Sequence, residues 1–107
     1  MGYTNTATEM VATLLVDHWV LRREAFAVLS GDAERRSAFD YGNGVEGLEK
    51  WGRDLFLAPH FGGLSECQDW LVMFRAEIKM AGTALGAEGL DRVDWAQVGA
   101  DVIANSN

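Results

Sequence analysis

A single cysteine, Cys67, leaves the chain no means of closing an internal disulfide, which points to a reducing compartment. One proline, Pro59, gives the backbone only one obligatory interruption, so long helices are open to it. Basic side chains are scarce: nine Lys and Arg stand against sixteen Asp and Glu, a net charge of −7. A protein that grips phosphates needs clustered cations to displace counterions, so this balance argues against direct nucleic-acid binding. Long hydrophobic runs are missing too. The longest, such as Leu14-Leu15-Val16 and Trp70 to Phe74, are far too short to span a bilayer. No basic segment leads into an apolar stretch at the N-terminus, so no signal peptide is predicted and the cytoplasm of whichever cell makes the protein is the expected place of action. The two histidines stand far apart, and there is neither a Cys pair nor an Asp-x-Asp-x-Asp-Gly loop, so no metal or other cofactor is expected.

What is present is apolar and helical. At 107 residues, with 49% hydrophobic and 10% aromatic residues, the chain reads as one domain able to bury a core without staples. No run alternates with the period of two that marks a half-buried strand. The most apolar stretch is Ser65 to Leu85. On a helical wheel Cys67, Trp70, Leu71, Phe74, Ile78, Ala81 and Leu85 share one arc. Met73, Met80 and Ala84 widen it, leaving Gln68, Arg75, Lys79 and Gly82 as the polar strip. A helix so apolar needs neighbours on two sides, so residues 65–85 are predicted as the central helix, opened by the capping box Ser65-x-x-Gln68.

Around it four further helices are predicted, giving an all-α bundle. The first opens on the capping box Thr6-x-x-Glu9, gathers Met10, Val11, Leu14, Leu15, Leu21, Ala25, Phe26 and Val28, and closes at Ser30-Gly31. Asp32 caps a short helix to about Asp40, with Ala33, Arg36 and Phe39 inward. After Gly42-Asn43-Gly44 a third helix puts Val45, Leu48, Trp51 and Leu55 on one face and ends at Pro59. Gly86 and Gly89 mark a loop with Leu90 as its anchor. Asp94 then caps a last helix in which Trp95, Val98, Val102 and Ile103 point one way, with Val93 and Val98 at hydrophobic-staple spacing.

Two stretches carry a resemblance. Tyr3, Asn5, Thr8, Val11 and Ala12 follow the pattern Tyr-x-Asn-x-x-Thr-Trp-x-Val-Ala, with Glu9 where that pattern has Trp; Val93, Asp94, Trp95 and Val98 follow Val-Asp-Trp-x-x-Ile. In these the chain resembles a family of small acidic proteins encoded by bacteriophages and plasmids. The resemblance implies a mobile-element protein with no known catalytic residues, of a kind that interferes with a host system.

Few residues suggest chemistry. Cys67 falls in the apolar arc and reads as core. His18 and Arg22 project into or beside the apolar arc of the first helix, and Glu77 into that of the central one. Buried ionisable groups need partners, so Glu77 is expected to meet Arg22 or His18 as a structural pair between helices. A catalytic acid–base pair is the alternative, but no third polar group completes a set. The acids are uneven: residues 61–107 hold seven Asp and Glu against three Lys and Arg. Glu88, Asp91 and Asp101, with the capping Asp94, form a candidate surface for a basic groove. Trp19, Val20 and Phe61 are surplus apolar residues that could seat a partner or a second copy.

The resulting expectation is a non-enzymatic inhibitor that binds a host protein, of anti-CRISPR or anti-restriction type. Its expected partner is a CRISPR effector or other nucleic-acid-binding complex, met as a monomer or homodimer and without direct contact to nucleic acid or membrane. A helical adaptor that dimerises through surface apolar residues is the alternative, and a small enzyme using His18, Arg22 and Glu77 the third.

Overall fold

Asn5 begins the fold. Its backbone is extended and its side chain accepts the Thr8 amide at 2.8 Å, so Asn5 caps the first helix in place of the predicted Thr6. A computed structural model describes residues 2–31, 41–57 and 68–106, with the side chains of 68–75 left aside. Five helices make up these residues: α1 (Thr6–Asp17), α2 (Trp19–Ser30), α3 (Gly44–Leu57), α4 (Gln68–Asp91) and α5 (Trp95–Ala104). The fold is all-α, with no strand among the described residues. The predicted helix over 32–40, the Ser65 cap, Cys67 and Phe61 lie outside them, as do the side chains of Trp70 and Phe74.

The first predicted helix is two. His18 adopts an extended conformation (φ −98°, ψ 104°) that ends α1 and starts α2. No proline or glycine causes the break; tertiary partners hold it. The Arg22 guanidinium donates to the Val16 carbonyl at 2.9 Å, serving one of the acceptors that the end of α1 leaves open. The break also moves the apolar stripe. Val11, Ala12 and Leu15 are buried on α1, and Val20, Leu21, Ala25 and Val28 on α2, so positions 18 and 22 are skipped. Phe26, expected inside, is exposed. Gly31 closes α2 in the left-handed conformation (φ 73°), as its position predicts.

Of the helix predicted at the centre, over 65–85, only the side chains from residue 76 onward are described. From residue 76 onward α4 buries only Ile78, Gly82 and Leu90 fully, while Glu77, Lys79 and Met80 face outward. Gly82, assigned to the polar strip, is buried against the Phe56 backbone of α3, so close that a side chain there would strike the Phe56 carbonyl. α4 packs mainly on α3 and α1, whereas α5 meets α1, α2 and α3. Among the described residues α5, α2 and α3 share a core that includes Val98, Val102, Leu21, Val28, Leu48 and Trp51. α5 lies so close to α3 that a Cβ on Gly52 would overlap the Trp95 ring. Val45 and Ile103, expected inside, are exposed; Val93 and Val98 share the core as the staple spacing predicts.

Gly86 breaks α4 as expected, with φ 62° and ψ −178°, a conformation open to glycine and costly to other residues. The chain then returns to helix up to Asp91 instead of forming a loop, and Leu90 anchors that segment in the core.

Candidate functional site

The residues that carry the resemblance meet in space. Thr8, fully buried, donates its hydroxyl to Asn5 Oδ1 at 2.9 Å and accepts the Asp94 amide at 2.9 Å. Asn5 Nδ2 donates to the Arg92 carbonyl at 2.8 Å. Asp94 in turn caps α5, accepting the Gln97 amide at 3.2 Å, and Thr4 donates its hydroxyl to Asp94 at 3.1 Å. The starts of α1 and α5 thus cap each other across some ninety residues of sequence. This cluster is structural: its donors and acceptors are spent on backbone groups that a helix start leaves open.

That junction changes the reading of the acidic C-terminal surface. Asp94 belongs to the junction. Asp101 is half-buried, and its carboxylate beside the Tyr3 hydroxyl, with desolvation, holds the phenol above its ordinary pKa. Asp91 pairs with Arg53 of α3 at 2.8 Å, and Arg53 also meets Glu49 at 3.0 Å. Three of the four acids therefore have internal work. Glu88 alone of them is exposed without an ion pair among the described residues.

His18 and Glu77 do meet, Nε2 to Oε2 at 2.5 Å, joining the α1–α2 break to α4. The pair is not buried as expected. Glu77 is 56% exposed and His18 17%. Arg22 turns away to the Val16 carbonyl and does not join them. Trp19 is 59% exposed, with the Arg23 guanidinium 5.1 Å above its ring, in cation–π range. Val20, grouped with it as surplus surface, is buried. The buried carboxylate of Glu24 escaped the sequence reading.

A groove runs between α1 and α4. Two adjoining hollows of ≈ 380 Å³ each share Met10. One is lined by Ala7, Ala84, Leu85, Glu88 and Arg92, the other by Glu9, Leu14, Asp17, His18, Glu77 and Ala81. Ala7, Met10, Leu14, Ala81 and Leu85 make a half-buried apolar floor. Exposed acids stand on both banks, Glu9 and Asp17 on α1, Glu77 and Glu88 on α4. One signal was available in the sequence: α1 carries Ala7, Met10 and Leu14 beside its core residues, more apolar surface than one neighbour can cover.

Among the described residues no three His, Cys, Asp or Glu side chains gather as a metal site, and no helix is long and apolar enough to cross a membrane. No family model, curated protein or solved structure matches the chain.

Proposed function

We propose that this protein is a non-enzymatic inhibitor that works by binding a host protein, with an anti-CRISPR or anti-restriction factor as the concrete form. The observation that carries this reading is the α1–α4 groove, an apolar floor between acidic banks, whereas Asp91, Asp94 and Asp101 of the C-terminal surface are engaged internally. Surfaces of that composition suit recognition, since apolar area supplies affinity and the acidic banks select a basic partner by opposite charge. The resemblance to small phage and plasmid proteins supplies the biological setting. The docking face thereby moves from the C-terminal acids to the groove, with Glu88 common to both. His18 and Glu77 serve the fold in this reading and perform no chemistry, since Arg22 is directed elsewhere. The test is plaque formation by defence-sensitive phage on cells expressing the protein. Rescue against a CRISPR or restriction system is the expected result, and no rescue against any such system refutes the reading.

A helical adaptor that self-associates is the second reading, favoured by Trp19 and Phe26, both exposed and about two turns apart on one face of α2. Sedimentation equilibrium distinguishes it: a dimer that Trp19→Ala dissolves supports the adaptor, and a monomer at high concentration excludes it.

A further inference from the structure

We infer that the α1–α4 groove receives an amphipathic helix of the partner protein, with an apolar stripe flanked by Lys and Arg. This deepens the inhibitor reading and rests on it. Length, floor and charge each point to that occupant. From Asn5 to His18 the α1 wall rises about 20 Å, at the helical rise per residue, which matches a helix of about thirteen residues. The floor pairs small alanines with Leu14, Leu85 and the flexible Met10 at its middle, a mix of small and large apolar side chains that suits the ridge of an incoming helix. Four acids border it against Arg92 at one end and His18, already held by Glu77, at the other. The groove therefore rejects acidic and selects basic flanks. Phosphate-bearing ligands meet the same repulsion.

Asp17 and Glu88 are the informative positions because they sit in different hollows and each lies near the C-terminal end of its helix. A lysine there opposes the macrodipole less than the native acid does, so reversing both removes groove charge without unfolding pressure.

The experiment uses the full chain and a synthetic helical peptide of about fourteen residues, with Leu at coiled-coil spacing and Lys on the flanks, beside a twin with Glu for every Lys. Amide resonances of Leu14, Ala81 and Leu85 are expected to shift with the Lys peptide and stay still with its twin. Asp17→Lys with Glu88→Lys is expected to weaken binding by about tenfold or more while leaving the melting temperature unchanged or higher. Shifts centred on Trp19 and Phe26, equal binding of the two peptides, or undiminished binding by the reversed variant would each overturn the inference. So would concentration-dependent broadening of the groove resonances without peptide, which assigns the groove to a second copy. Wild-type protein that binds the Lys peptide at the groove but rescues no phage refutes the inhibitor reading alone; rescue without peptide at the groove refutes this inference alone.

Discussion

Replacing Thr8 by Val changes almost nothing in shape and removes one hydroxyl. Its consequence is large if α1 and α5 cap each other as described. The Asp94 amide, now donating to Thr8 Oγ1 at 2.9 Å, is left facing a methyl group, and an unsatisfied buried donor costs about 1–3 kcal/mol. Asn5 Oδ1 loses one of its two donors but keeps the Thr8 amide. Because Asp94 is itself the cap of α5, slackness there erodes a contribution of about 1 kcal/mol more. A total loss of about 2–3 kcal/mol follows. Thr8→Ser keeps the hydroxyl and loses one buried methyl, so about 0.5–1.5 kcal/mol is expected. Urea unfolding followed by far-ultraviolet circular dichroism, with a common slope, measures both. The order is the test: Val must be worse than Ser. If burial of apolar surface alone governs the site, Val equals or exceeds wild type, and that result refutes the mutual cap.

Gly52→Ala should destabilise by about 1–3 kcal/mol despite alanine's better helix propensity, because the added methyl meets the Trp95 ring; an upward shift in thermal midpoint would show that α3 and α5 lie further apart. Asp91→Asn should cost less than about 1 kcal/mol, since the pair is exposed and Arg53 retains Glu49; chemical denaturation giving a larger loss would make that link between α3 and α4 a true anchor. The Tyr3 phenol has a raised pKa in the folded state, first through its hydrogen bond to Asp101. Its contribution is therefore complete below the ordinary tyrosine value of about 10 and is lost as pH rises through the higher folded value. Unfolding measured on both sides of that window should show the loss in wild type and a smaller one in Tyr3→Phe; identical curves would deny the contact.

The helical class of the chain was legible because its apolar residues recur with helical spacing, and the ends at Gly31, Gly86 and Asp94 because each carries its own local chemistry. The division at His18 was not, and the reason is instructive. His18 and Arg22 looked like polar residues intruding on one continuous apolar arc. The structure resolves the intrusion by breaking the helix, so that the stripe resumes at Val20 and Leu21. Polar residues at core positions were the mark of a change of register, and the carbonyl of Val16 and the carboxylate of Glu77 that stabilise it are contacts no local pattern encodes. The close approaches of helices were not legible either: Gly52, where α3 meets Trp95 of α5, and Gly82, where α4 meets Phe56 of α3, add nothing to an apolar arc. The acidic surface was legible as charge but not as occupation: Asp91, Asp94 and Asp101 found partners on α3 and at the N-terminus, far off in sequence. The groove lies between α1 and α4, where it depends on the pairing of two helices and on neither alone.

Plaque counts for a defence-sensitive phage, on cells producing equal amounts of wild-type protein or of the Asp17→Lys, Glu88→Lys variant, bear most directly on recognition through the groove. Both residues are exposed, line the groove and have no part in the capped junction. Wild-type protein should restore plaques, and the variant, folded and as stable, should restore few or none. Equal plaque numbers from the two proteins would contradict recognition through the acidic banks of the α1–α4 groove.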